Sequence, residues 1–259
     1  MKYKIYSNSI PLLNLCGTTL KIFFKNFWVL LVIGLPYSGL QCIYYIINSK
    51  IFNSEPSLIK IITLLISLLS FSVLIFQIIF TIYLTKNALT KKNSLRFIFK
   101  KTSRKIKTGI LSMIAGGMVL TGLLIALFWV LDKVHGSIAW VIIAPLGIIG
   151  VVCIFGWIFN LHAIALRNKS PLKALGYSWN LVRNNKPKII LYIIMPFIFT
   201  APLLIINLLF FKEHPALSMV QVIGISIIFA RIFFYSLINI YMTLVFINFD
   251  RNKKYRLLN

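Results

Sequence analysis

RNKSPLKALGYSWNLVRNNKPK, residues 167–188, interrupts a chain that is otherwise mostly apolar. It carries six Lys or Arg and no acid, yet its Leu, Ala, Trp and Val recur at helical spacing. Such a segment is neither a membrane span nor a plain polar linker. Ser170 followed by Pro171 is a helix start, with the hydroxyl placed as N-cap and the proline in the first turn, where its missing N–H costs nothing. Leu172, Leu175, Trp179 and Val182 then step by three and four, while Lys173, Asn180 and Asn184 fall on the other side and Pro187 halts the helix. A helix of this kind lies in the membrane interface, its apolar stripe among acyl chains and its Lys and Arg at the headgroups.

What flanks the stretch sets the class. The chain has 259 residues, is 59% hydrophobic with mean hydropathy +0.89, and holds only four acidic side chains, more apolar surface than a soluble core hides. Windows of about 20 apolar residues, enough to cross a hydrocarbon core ~30 Å thick, recur near residues 27–49, 59–85, 108–131, 138–163, 189–211 and 216–248. The first long apolar run begins only near Phe27 with no small-residue cleavage site behind it, so a cleaved signal peptide is not expected. The three cysteines are scattered: Cys42 and Cys153 fall inside spans and Cys16 before them. They read as small apolar residues rather than a disulfide or metal framework.

A net charge of +24 would suggest nucleic acid in a soluble protein, so its distribution decides its meaning. The N-terminal segment through Lys25 holds four Lys or Arg, residues 86–107 nine, residues 167–188 six and residues 249–259 four, twenty-three on one side of the membrane. Lys50, Lys60, Lys133 and Lys212 are the four on the other side, and Arg231 lies within a span. Basic residues concentrate in cytoplasmic connections, so both termini and the long basic connections are expected in the cytoplasm of a bacterial inner-membrane protein. Glu55, Asp132 and Glu213 sit one in each outer connection, and Asp250 is assigned to the tail. In RFIFKKTSRKIK aromatics interleave with basic residues, but a short connection tethered beside an anionic leaflet fits phospholipid and not nucleic acid, each Lys or Arg gaining about 1 kcal/mol from the lipid surface.

The device of the opening stretch occurs twice more. SIPLLNLCGTTLKIFFKN sets Ser and Pro before a helical pattern, with Asn14, Thr18, Lys21 and Lys25 on one face and Leu12, Leu15, Leu20 and Phe23 on the other, and NSLRFIFKKTSRKIK repeats it with more charge. Helix-breakers in the spans that follow, Pro36, Gly116 with Gly117, and Pro196, are 80 residues apart. The chain therefore reads as one polytopic all-α membrane domain, residues 1–259, built from a three-fold internal repeat (9–86, 87–166, 167–250). Each repeat is a cytoplasmic interfacial amphipathic helix followed by a hairpin, giving six transmembrane helices in three hairpins. This layout, with PLGIIG at 145–150 followed by LRNKSPLKALGYSWNLVRNN, resembles the YciC-like family of uncharacterised enterobacterial inner-membrane proteins; the surface helix is also similar to the membrane portion of some glycerophosphodiester phosphodiesterases. The resemblance implies an inner-membrane location and no assigned activity.

Chemistry is not written into this chain. The acids fall at loops or the tail, His135, His162 and His214 lie in different connections or span ends, and no HExxH, GxSxG, Walker loop or CxxC occurs. An enzyme, a cofactor and a metal site are not expected. Two classes remain: a structural or lipid-interacting envelope protein, and a transporter or channel-like carrier of a small solute or lipid, its spans broken at Pro36, Pro145, Pro196 and Pro202. The first is preferred, because no span carries an acid for proton or cation coupling. Its lipid-interface candidates are Lys21, Lys25, Arg96, Lys100, Lys173, Trp179 and Arg183, with anionic phospholipid as partner. Arg231 is the intramembrane polar candidate, facing the bundle if central and snorkelling if peripheral. The charge asymmetry makes a direct prediction: a cytoplasm-active reporter fused after Lys92 or Arg183 gives signal, and one fused after Asp132 or Lys212 does not, the reverse pattern at an inner site overturning the assignment.

Overall fold

The computed structural model describes residues 12–48, 56–90, 93–133, 137–185, 189, 191, 192, 194 and 232–250. These form helices α1 (Leu12–Lys25), α2 (Phe27–Asn48), α3 (Pro56–Thr90), α4 (Leu95–Lys133), α5 (Ser137–Trp157), α6 (Asn160–Arg167), α7 (Pro171–Arg183) and α8 (Ile232–Asp250), with no strand among the described residues. Among the described residues five stretches are long and apolar enough to cross a membrane: Phe27–Tyr44, Lys60–Thr90, Leu95–Val130, Ile143–Arg167 and Ile232–Asp250. The expected span at 189–211 and the first half of that at 216–248, with Arg231, lie outside the described residues.

Burial is graded along the helices. In α3, Ile61 to Leu69 are largely exposed, whereas Ile75, Gln77 and Ile79 to Thr85 are buried; in α4, Met118 to Trp129 are largely exposed, whereas Ile98, Thr102, Gly109 and Ser112 are buried. In α8 nearly all of Ile240 to Asp250 is buried. The core therefore sits at one end of the bundle, where α3 ends, α4 begins and α6, α7 and the C-terminal half of α8 converge. The other end presents apolar side chains outward, which is what lipid as solvent permits.

α4 is one unbroken helix of 39 residues, about 58 Å at ~1.5 Å per residue, so the basic segment NSLRFIFKKTSRKIK is not a separate amphipathic helix but runs directly into the span. Phe99 meets Phe76 edge-on at 5.2 Å, while a Cβ on Gly109 would lie 2.9 Å from Ile75 Cγ2. Phe99 and Gly109, ten residues apart on α4, thus both meet α3 at Ile75 and Phe76, while Lys101 between them lies over the Tyr83 ring.

The expected span at 138–163 is broken. α5 stops at Trp157, Ile158 and Phe159 form a turn, and Phe159 takes φ −100°, ψ 11° before α6 starts at Asn160. The break is closed from α7: the Ser178 hydroxyl donates to the Gly156 carbonyl (2.6 Å) and accepts the Phe159 N–H (3.0 Å). Trp179 lies directly over Gly156, where a Cβ would fall 2.2 Å from the indole Cε3. α6 ends on Asn168 in the left-handed region (φ 54°), and the Lys169 N–H reaches back to the Ala163 carbonyl, a Schellman-type stop.

This corrects the expected surface helix. Pro171 begins α7, but the Ser170 hydroxyl makes no cap bond; its carbonyl accepts the Ala174 N–H instead. Leu175 and Val182 are buried with Ala174, Ser178 and Leu181 in the protein core, and Trp179 is half-buried, so the stripe that was expected among acyl chains packs on protein. Only Leu172 of that stripe is exposed. In α1 the inward residues are Leu15, Thr19, Ile22 and Phe23, with Leu20 outside.

The Gly156–Trp179 contact yields a stability prediction. A methyl group there must displace a ring held by the core, so Gly156→Ala lowers the melting temperature of the detergent-solubilised protein by an overpacking cost of about 1–3 kcal/mol. Gly117→Ala, where a Cβ meets nothing within 4 Å, leaves it unchanged or raises it.

Candidate functional site

Two polar assemblies and one charged surface occupy the packed end. The first centres on Asp250, which had been assigned to the tail but is the buried last residue of α8. Arg167, at the end of α6, donates from Nε to Asp250 Oδ2 at 2.6 Å and pairs with it through a second guanidinium nitrogen, while the Tyr177 hydroxyl donates to Oδ1. Burial, reinforced by the carboxylate, pushes the Tyr177 hydroxyl up to about 12. Lys169 caps the assembly over the Tyr177 ring at 5.6 Å. The end of α8 is thereby fastened to α6 and α7, more than 70 residues earlier in the chain.

The second assembly surrounds His162, fully enclosed in α6. Its ring stacks on Phe246 and meets Phe159 edge-on. Thr243 spends its single hydroxyl proton on the Asn239 carbonyl at 2.6 Å, so the 3.3 Å contact with His162 Nε2 requires the imidazole to donate. That tautomer leaves Nδ1 an acceptor, and it has no partner among the described residues. Beside it the Asn160 carbonyl oxygen accepts the Leu161 N–H at 2.5 Å, and its amide reaches the Met113 sulfur at 3.6 Å. Asn160, His162 and Asn239 are the most polar lining of a cavity of about 520 Å³, walled otherwise by residues such as Leu74, Met113, Gly117, Trp157 and Met242.

The charged surface is made of the sequence-predicted residues. Lys21, Lys25, Arg96, Lys100, Lys173 and Arg183 are all exposed, on α1, α4 and α7. Their neighbours tie them to one end: Trp28, three residues beyond Lys25, lines the same groove as Arg96, and the Lys105 ammonium donates to Asn168 between α6 and α7. Trp179 is not part of this surface. Other cations are engaged inward, Lys101 lying 4.9 Å over the Tyr83 ring.

α1 adds what periodicity alone missed. Leu13, Leu20, Phe24 and, past the Asn26 turn, Trp28 are exposed and recur by four or seven, a second apolar stripe that points away from the core. On a helix of 3.6 residues per turn the set Asn14, Thr18, Lys21 and Lys25 falls between the inward and outward stripes. Among the described residues α1 thus has one flank on protein, one exposed apolar flank and a polar edge between them.

With this arrangement in view, the comparisons with known proteins place the chain. A family profile matches residues 27–248. The chain belongs to the DUF7847 family, a domain of unknown function. No curated protein and no solved structure matches it, and nothing in these comparisons supports the resemblance to the YciC-like family. The DUF7847 match opens at Phe27 and closes at Asn248, so α1 and the Asp250 carboxylate lie just outside it.

The Asp250 assembly makes an asymmetric prediction. The Asp250 side chain is 8% exposed and that of Arg167 39%, so Arg167→Gln strands a buried anion whereas Asp250→Asn frees a cation that water already reaches. Arg167→Gln therefore costs more, about 1.5–3 kcal/mol for a charge-assisted bond left unmade, and the double variant costs less than the two single losses summed. Thermal melts of the three proteins measure both differences.

Proposed function

We propose that this membrane protein is a lipid-interacting, structural component of a bacterial cytoplasmic membrane, its packed basic end on the cytoplasmic side and its exposed cations engaging anionic phospholipid headgroups. The observation that carries this reading is the outward stripe of α1, Leu13, Leu20, Phe24 and Trp28, running beside Lys21 and Lys25. Apolar groups reach the acyl boundary and ammonium groups the phosphates on one rigid helix, which is held in place by its other flank. The chain needs no catalytic group for this role, and none is assigned.

The cavity floored by Asn160, His162 and Asn239 favours a second reading, passage of a small solute or lipid along a broken helix. The first is preferred because Asn160 already spends both ends of its amide within the protein and Thr243 occupies His162 Nε2, leaving few polar groups for a cargo.

Lipid selectivity tests the first reading. In bilayers mixing phosphatidylglycerol with phosphatidylcholine, spin-labelled phosphatidylglycerol is immobilised by the intact chain in preference to spin-labelled phosphatidylcholine. The preference declines with added salt and falls severalfold when Lys21, Lys25, Lys100, Lys173 and Arg183 are all changed to Gln. Equal immobilisation of the two lipids by the parent chain would overturn the reading.

A further inference from the structure

Where the start of α2, the C-terminal third of α3 and the first two turns of α4 meet, a groove of about 440 Å³ opens to the surface of the bundle. Its walls are Trp28, Val29, Val32 and Ile33 from α2, Phe80 from α3, and Leu95 and Phe99 from α4, and its one charged lining residue is Arg96. The volume lies in the range of small-molecule sites, roughly 300–1,000 Å³. Trp28 and Phe99 are exposed along it, and Trp28 begins the apolar α2, which places the mouth at the depth where indole rings collect between headgroups and hydrocarbon. From there Val29, Val32 and Ile33 follow α2 away from the basic end.

Arg96 has no structural employment. It makes no ion pair, hydrogen bond or ring contact among the described residues, and it stands in the first turn of α4, where a cation opposes the helix dipole. Lys100 lies one turn further along the same helix, both residues exposed. A guanidinium at the rim of a nearly all-apolar trough, with a second cation a turn away, is complementary to one class of molecule: a phosphate that carries a hydrocarbon chain.

We infer that this groove is a specific site for a single anionic phospholipid, one acyl chain lying against Val29, Val32, Ile33 and Phe80 and the headgroup phosphate bound by Arg96. The site deepens the lipid-interacting reading and rests on it, but it differs in kind: the charged surface selects among lipids that exchange around the protein, whereas the groove retains one. A free phosphate lacks the chain that the apolar walls would bury, and phosphatidylcholine carries its own cation against Arg96.

Native mass spectrometry of the full-length chain, delipidated in detergent and titrated with phosphatidylglycerol, tests it. The parent chain retains one phosphatidylglycerol more tightly than any further one, and Arg96→Gln weakens that first binding by about tenfold or more, the loss of a charge-assisted phosphate contact. Arg96→Lys restores part of it. Val32→Trp, which fills the trough from its exposed rim and leaves the cation in place, weakens it as well. Inorganic phosphate does not compete. An unchanged first affinity in Arg96→Gln overturns the site, as does equal binding of phosphatidylcholine or a photocrosslink from Val32 that joins two copies of the chain or the chain's own residues 1–11 instead of lipid. Loss of the tight lipid with bulk selectivity intact, against loss of bulk selectivity with the tight lipid intact, separates the groove from the broader surface.

Discussion

A helix that stops inside apolar surroundings frees backbone groups that water does not reach, and each one left unpaired costs several kcal/mol in hydrocarbon. The Ser178 hydroxyl removes that cost at the α5–α6 break by serving the Gly156 carbonyl and the Phe159 N–H at once. Much else follows from this one side chain. α6 is released from the line of α5, so Asn160 and His162 reach the cavity and Arg167 reaches Asp250. α7 is bound to the bundle through its middle, with Trp179 seated on Gly156, and so its apolar stripe belongs to the core. What reads as a helix floating at the interface is the clamp that holds a broken span.

The clamp explains why packing is concentrated at one end. Around it lie Ile79, Ile82, Phe159, Ile164, Leu181, Val245 and Phe246, all essentially without solvent exposure, and the Asp250 assembly closes the same region. Lipid tails are as apolar as Leu, so helices within the hydrocarbon gain little from hiding apolar surface from each other and associate through close fit and hydrogen bonds. The exposed residues of α3 and α4 further along need no such burial. A packed platform at one end, with long apolar helices leading away from it, holds the helices that carry the exposed cations in place relative to one another.

Much of this was legible in the sequence because its causes are local. Each of the five described spans overlaps an apolar window of bilayer length, and the grouping of Lys and Arg pointed to residues that are exposed at the packed end. The break at Ile158–Phe159 was not legible: GWIFNLHAI has no proline and no polar run, and its cause, Ser178, lies on another helix. Asp250 was read as tail because its partners, Arg167 and Tyr177, are 83 and 73 residues away. Periodicity marks a stripe in α7 and groups Leu20 with Leu15 and Phe23 in α1, but it carries no label for what each side chain meets. Leu15 and Leu20 obey the same rule, and only packing shows that one faces protein and the other does not.

That ambiguity is itself instructive about the cations. Lys101 on Tyr83, Lys105 on Asn168, Lys169 on Tyr177 and Arg167 on Asp250 are held by the protein and help to fix α3, α4, α6, α7 and α8 to one another. A side chain held in this way has less freedom to follow a headgroup. Arg96, clear of these contacts, instead lines an apolar trough, with exposed Lys100 a helical turn away. The same excess of positive charge is thus of two kinds: one part joins helices, and the other stands exposed at the surface of the packed end.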